Sequence, residues 1–192
     1  MLDRRRLLLL APAGVLAIGL AGAAGWMLTR EEPPVPIGGP FELVDGNGRT
    51  VTDQDFRGKW TLVYFGFTHC PDACPLALQN MAAARDLLGP AGEQVKLVFI
   101  TLDPERDTPE VMRDYVAAFG PDVSALTGST EAVAQAAKAY RVFSAKAPTK
   151  GGDYTVDHTS IVYAMDPRGR FAANFTHETS PEGIATRLRA LM

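Results

Sequence analysis

Cysteine is scarce in this chain. There are two among 192 residues, Cys70 and Cys74, four positions apart. A pair so close together excludes a disulfide-stapled scaffold, which needs several crosslinks spread through the fold. It leaves a small-loop bridge, a redox pair or part of a metal site. Histidine is nearly as scarce, with three residues: His69, His158 and His177. A basic excess is also missing. The formal net charge is -3. The first thirty residues hold four arginines and one aspartate, so 15 basic and 21 acidic residues remain, a net of -6 for the rest. An acidic body argues against nucleic acid as a partner. There is no internal repeat, and no low-complexity tract beyond one short linker. What is present is an ordinary globular composition, 46% hydrophobic and 21% charged. At this length it suits one domain plus an appendage.

The appendage is N-terminal. Residues 1–6 end in Arg4, Arg5 and Arg6, and residues 7–28 carry no charge. Twenty-two residues at a helical rise of about 1.5 Å span roughly 33 Å, close to a bilayer core. The positive-inside rule places residues 1–6 in the cytoplasm and the body outside. A cleaved signal peptide is the competing reading, because Ala21-Gly22-Ala23 offers small residues for cleavage. The length of the run, with Trp26 at its outer end, favours a retained transmembrane anchor. No amphipathic transit peptide precedes the run. The expected location is therefore a bacterial inner membrane, single-pass, with the soluble domain in the periplasm. Residues 29–40 contain the proline-rich tract EEPPVPIGGP, an extended linker.

The domain itself is expected over residues 41–192. Residues 41–51 read as a β-hairpin around Asp45-Gly46-Asn47-Gly48. Residues 60–67 (WTLVYFGF) and 95–102 (VKLVFITL) are continuous apolar runs, hence buried core strands. Helices are expected after Pro75, after Thr108-Pro109, after Ser129 or Thr130, and after Ser180, each with apolar residues at helical spacing. A short strand over 123–126 separates the second and third. Residues 142–145 and 154–156 flank a Pro-Thr-Lys-Gly-Gly loop, and 159–165 with 171–175 form a closing hairpin. A hairpin, then alternating strands and helices, then an antiparallel end define an α/β domain. A thioredoxin-like fold is the simplest closed solution.

Both cysteines fall where the first core strand hands over to a helix. A structural disulfide there closes so small a loop that it constrains the unfolded chain by only ~2 kcal/mol or less. Dithiol redox catalysis is the second reading, since a helix N-terminus favours thiolate. Thioredoxin-type enzymes place two residues between the thiols, whereas this chain has Pro71, Asp72 and Ala73. They also set a proline opposite the thiols, and here that place is filled by Asp157-His158-Thr159. A metal is the third reading. Two thiolates and an imidazole suit Cu(I) or zinc; three ligands satisfy Cu(I), while structural zinc takes four. The same set with a weak oxygen ligand would hold Cu(II). His158 is the favoured third ligand. His69, adjacent to Cys70, should diverge from the thiol, and His177 reads as solvated.

Three stretches carry a resemblance: YFGFTHCPDACP (64–75), LDPERDTPEVM (102–112) and VDHTSIVYAMDPRG (156–169). In content, order and separation they resemble the Sco/SenC family of copper-binding proteins with a thioredoxin fold. The resemblance covers residues 41–192 and extends to the single N-terminal anchor. It implies copper ligands at Cys70, Cys74 and His158. It further implies a metallochaperone that assembles the CuA centre of cytochrome c oxidase by delivering copper, by reducing the target thiols, or both. The implied partners are the CuA-bearing oxidase subunit, a copper donor chaperone and the membrane. Enzymatic activity is not expected, apart from thiol–disulfide reductase activity. The alternative is a thiol–disulfide oxidoreductase or peroxidase using Cys70 and Cys74.

Remaining residues receive structural roles. Asp72 is expected as a turn or helix cap, and Pro71 and Pro75 as constraints that make the thiols converge. Asp157 should point away from His158. Residues 103–108 are expected to brace the loop and cap a helix. Met81, Met112 and Met165 are expected in the core.

Overall fold

The computed structural model describes residues 36–192. The expected basic N-terminus (1–6), the membrane span (7–28) and most of the linker (29–40) lie outside the described residues. No helix among those described is long and apolar enough to cross a membrane.

In chain order the elements are β1 (Glu42–Asp45), β2 (Thr50–Thr52), β3 (Trp60–Gly66), α1 (Ala73–Leu87), β4 (Val95–Thr101), α2 (Pro109–Val116), β5 (Val123–Thr127) and α3 (Thr130–Ala139). They continue with β6 (Ser144–Pro148), β7 (Tyr154–His158), β8 (Ile161–Met165), β9 (Phe171–Thr176) and α4 (Pro181–Leu191). Seven strands form one mixed sheet in the order β2-β1-β5-β4-β3-β8-β9. The β3, β4 and β5 strands run parallel, with Phe65 opposite Ile100 and Ile100 opposite Leu126. Both flanks are antiparallel: β8 on β3, β9 on β8, and β1 on β5. This is the arrangement expected of a thioredoxin-like α/β domain.

The apolar runs explain the middle of the sheet. Every residue of β3 after Trp60 is buried, as are Leu97 to Thr101 of β4. A strand buried on both faces has no polar face to show, which is why both runs are continuously apolar, as the sequence indicated. Tyr64, Phe65, Phe99 and Ile100 of these strands, with Met81 of α1 and Met112 of α2 packed in the same core, are fully buried. Each such side chain stabilises the fold by about 1.5–3 kcal/mol through burial alone. Three helices begin as their sequences indicate. The hydroxyls of Thr108, Ser129 and Ser180 accept the amides of Val111, Ala132 and Gly183.

Two features depart from the sequence reading. The segments flanking the Pro-Thr-Lys-Gly-Gly loop, expected at 142–145 and 154–156, lie at Ser144–Pro148 and Tyr154–His158. They pair as a separate two-stranded antiparallel sheet, with Ser144 opposite His158 and Pro148 opposite Tyr154. Asp72 takes the N-cap position of α1, but its exposed side chain makes no capping hydrogen bond. At the other end of the described chain, Ile37 packs on the core and the Gly38 amide donates to the Ala139 carbonyl at 2.9 Å. Gly38 has φ +87°, and a Cβ there would meet the Met165 methyl at 2.5 Å.

Candidate metal centre

The turn after the C-terminal end of β3 delivers the first two side chains. After Gly66 the chain turns, with the Cys70 amide donating to the Phe67 carbonyl at 3.2 Å. Cys70 is left half-buried in the loop, and Cys74 enters the first turn of α1 with no exposed surface. The Cys74 amide, an unpaired donor of the helix start, points to the Cys70 sulfur at 3.4 Å. A thiol thus occupies the capping direction that Asp72 leaves unused. Gly66 makes room for this turn. A Cβ on it would lie 2.6 Å from the Cys74 sulfur and 2.9 Å from the Phe99 ring.

His158, the last residue of β7, comes from the small sheet. Its Nδ1 lies 3.1 Å from the Thr159 carbonyl oxygen. A carbonyl can only accept, so Nδ1 carries a proton and Nε2 is the nitrogen turned toward the thiols. That nitrogen is 3.7 Å from the Cys74 sulfur. The ring stands edge-on to two aromatics, with centroids 6.1 Å from Tyr64 and 5.9 Å from Phe67. One ligand atom from each of Cys70, Cys74 and His158 lies within 4.8 Å of the others. A trigonal ion with metal–sulfur bonds of about 2.3 Å and metal–nitrogen bonds of about 2.0 Å would separate sulfur from nitrogen by about 3.7 Å. The cluster is therefore close to metal-binding dimensions, and its two soft thiols and one imidazole fit Cu(I) or zinc.

The two thiols are electrostatically unequal. Cys70 is pulled down to about 4, chiefly because the Cys74 thiol donates a hydrogen bond to it; His158 and the Cys74 and Asp72 amides add to this against the cost of burial. Cys74 is pushed up by that same hydrogen bond, by burial and by the neighbouring charge on Cys70. The metal-free pair is one thiolate and one thiol. Burial, then the charge of the thiol pair, also raises the Tyr64 and Tyr115 hydroxyls. Both hydroxyl oxygens are buried without a hydrogen bond of normal length among the described residues.

The other candidates fall elsewhere. His69 is exposed, with Nδ1 3.2 Å from the Thr68 hydroxyl, and stays outside the cluster. His177 lies in a turn, partly exposed and away from the cluster, and its backbone carbonyl accepts from Asn80 at 3.1 Å. Asp72 and Asp157 are exposed, and Met165 is buried. Both cysteines are free thiols. Sequence reasoning missed Gly66, Tyr64 and Phe67 as parts of the site. Gly66 had a signal, since a glycine inside an aromatic and β-branched strand marks a close approach. Tyr64 and Phe67 had none, because an edge-on contact with a residue some ninety positions later leaves no local pattern.

The comparison with known proteins turns on the same region. The SCO1/SenC family profile matches residues 29–192. This chain belongs to the SCO1/SenC family. Protein sco1 of Schizosaccharomyces pombe is 43% identical over 153 residues, covering 78% of this chain and 58% of that protein. Protein SCO1 homolog 1, mitochondrial, of Arabidopsis thaliana is 42% identical over 158 residues, covering 80% of this chain and 47% of that protein. The chain therefore matches about half the length of these two relatives. The solved structure of Bradyrhizobium japonicum ScoI with copper bound aligns with a TM-score of 0.75 at 44% identity, covering 81% of this chain and 99% of that one. In the SCO1/SenC fold as it stands here, residues 64–75 supply both thiols and residues 156–169 supply the imidazole. The third stretch, 102–112, abuts the cysteine loop, where the Asp107 carboxylate accepts the Thr68 hydroxyl at 2.6 Å.

Proposed function

We propose that this protein is a copper metallochaperone that serves assembly of the CuA centre of cytochrome c oxidase. Its copper ligands are the thiolates of Cys70 and Cys74 and the Nε2 of His158. The observation that carries this reading is the convergence of those three ligand atoms within 4.8 Å in a SCO1/SenC chain. The copper-bound state of its structural relative from Bradyrhizobium japonicum supports it. Anchoring through residues 7–28, with the domain over 41–192 held in the periplasm by the linker, completes the proposal. The oxidase subunit bearing CuA is the receiving partner, and a copper donor chaperone precedes it.

Copper is cargo in this scheme, so the site must both take it up and let it go. Uptake needs both thiols deprotonated. Cys70 is already a thiolate, and Cys74 loses its proton as the metal binds, so affinity rises with pH. The Thr159 carbonyl holds Nδ1 of His158 and leaves Nε2 as the nitrogen turned toward the metal. Release is by ligand exchange at the half-buried Cys70, the more accessible of the two sulfurs. The experiment is titration of Cu(I) into the reduced full chain. One ion per chain with a three-ligand S₂N environment by X-ray absorption is expected. Failure to hold Cu(I) against a chromophoric chelator would end this reading.

A second reading has one observation behind it, the low value of about 4 for a half-buried thiol. Such a thiolate can attack a target disulfide. The Cys70–target bond forms as the target disulfide breaks, and Cys74 then displaces the target sulfur. Cys70 and Cys74 give up two electrons and the one proton of Cys74 and become a disulfide, and the target disulfide becomes a thiol and a thiolate. This makes target reduction a companion of copper delivery on the same residues.

A further inference from the structure

The loop between β4 and α2 holds two wholly buried carboxylates, Asp103 and Asp107. Burying an anion is costly unless it is fully bonded, so each must have a structural use. Their partners lie in opposite directions. Asp107 faces the cysteine side. Its carboxylate accepts the Thr68 amide at 3.1 Å, the Thr68 hydroxyl at 2.6 Å and the Thr101 hydroxyl at 2.6 Å. Thr68 is two residues before Cys70. Asp103 faces the histidine side. Its carboxylate accepts the Tyr154 hydroxyl at 2.8 Å and is paired with the Arg106 guanidinium. Tyr154 opens β7, and His158 closes it.

Arg106 doubles the second connection. It donates to the Tyr154 carbonyl at 3.0 Å and to the Asp153 carboxylate at 3.2 Å. Its guanidinium carbon sits 3.8 Å from the Tyr154 ring centroid. Lys146 of β6, paired with Glu105 at 2.7 Å, lies 4.5 Å from the same ring. The two arms meet in one hydroxyl. Thr101 accepts the Asp103 amide at 2.8 Å while donating to Asp107. One short loop therefore grips both the segment that carries Cys70 and the strand that carries His158. The strand needs that grip, because β6 and β7 pair only with each other.

We propose that Asp103, Arg106 and Tyr154 are positioning residues for the metal centre, setting where His158 stands relative to the two thiols. None of the three touches the cargo. They act through the strand β7, and Asp107 anchors the same loop to the cysteine side. The proposal rests on the copper-binding reading above, and its test separates the two.

The test is Tyr154→Phe in the full chain, alone and combined with His158→Ala. The substitution keeps the ring between Arg106 and Lys146 and removes only the hydroxyl bonded to Asp103. Cu(I) affinity of the reduced chain is measured by competition with a chromophoric chelator. Loss of a supporting contact to a metal ligand should weaken binding about tenfold. In the His158→Ala background the same change should have no further effect, because there is no imidazole left to position. Equal losses in both backgrounds, or none in either, would overturn the proposal. A second measurement needs no copper: proton NMR contacts between the His158 ring and the Tyr64 and Phe67 rings. These should weaken in Tyr154→Phe, and contacts of unchanged strength would overturn the proposal too. Wild-type chain that binds no Cu(I) would instead count against the copper reading, while the NMR comparison would still decide the positioning claim.

Discussion

Cys74 is held by the body of the domain, whereas His158 is held by a small sheet beside it. The thiol sits on the first turn of α1, against a strand buried on both faces, with no exposed surface. The imidazole ends a two-stranded sheet whose first strand, Ser144–Pro148, is largely exposed. Phe143, just before it, is 65% exposed and is tied to Thr159 by hydrogen bonds of 3.1 Å in both directions. Cys74 is thus fixed by core packing, whereas β7 buries Val156 alone and relies for the rest on polar contacts and the edge-on rings beside His158. Regions with few buried apolar contacts open at lower free energy than the core around them. Opening of the small sheet would therefore move the imidazole of His158 while Cys74 stays in place.

The largest expected effect lies on the rigid side. Cys74→Ala should lower Cu(I) affinity by more than about 100-fold, beyond the 10–100-fold typical of a supporting residue. Chelator competition measures it, and a smaller loss than that of His158→Ala would invert the comparison. Gly66→Ala comes next. The added methyl meets the Cys74 sulfur at 2.6 Å, and such overpacking costs about 1–3 kcal/mol. Urea unfolding of the metal-free chain should show a lower midpoint with an unchanged slope. An unchanged midpoint would mean that the strand yields to the sulfur.

The unequal thiols give a pH signature. Cys70 has its folded value depressed to about 4, below the usual thiol value of about 8.5. The stability this confers is complete above the unfolded value and is lost as pH falls toward about 4. Cys74 has its folded value raised, so its contribution has the opposite sign and is lost as pH rises above the unfolded value. Iodoacetamide should therefore label Cys70 rapidly at pH 6 and leave Cys74 slow even at pH 9, as read by peptide mass spectrometry. Equal labelling of both at pH 6 would show that the asymmetry is absent. The smallest effect is assigned to Asp72→Ala. An exposed side chain without a capping bond should change stability by no more than about 0.5 kcal/mol. A loss of about 1 kcal/mol would restore it to the capping role that its position suggests.

Much of the rigid side was legible in the sequence. The run from Trp60 to Phe67 announced a buried strand, Pro75 a helix start, and Thr108, Ser129 and Ser180 their caps, because each of these signals is local. His158 was found by substitution, standing where a proline would face the thiols in a redox enzyme. The small sheet was harder to read. Residues 144–148 are almost all exposed, so they carry no apolar alternation, and the contacts of Tyr154 in the partner strand reach a loop some fifty residues earlier. Asp72 misled for a different reason. Its residue type and place fit an N-cap, but its backbone sits at φ -130° and ψ -61°, outside the extended geometry that lets the side chain reach back. The membrane span and the cytoplasmic tail remain sequence-based expectations.

The central claim is that the thiols and the imidazole act as one copper site. The most direct measurement is copper stoichiometry and absorption spectrum of the reduced full chain, wild type against His158→Ala. The account predicts one copper per wild-type chain, with the spectrum altered and the affinity lowered in the variant by about 100-fold or more, at least the upper end for a supporting residue. Identical spectra and affinities for the two proteins would contradict it, leaving the cysteines as a thiol pair with no part for His158.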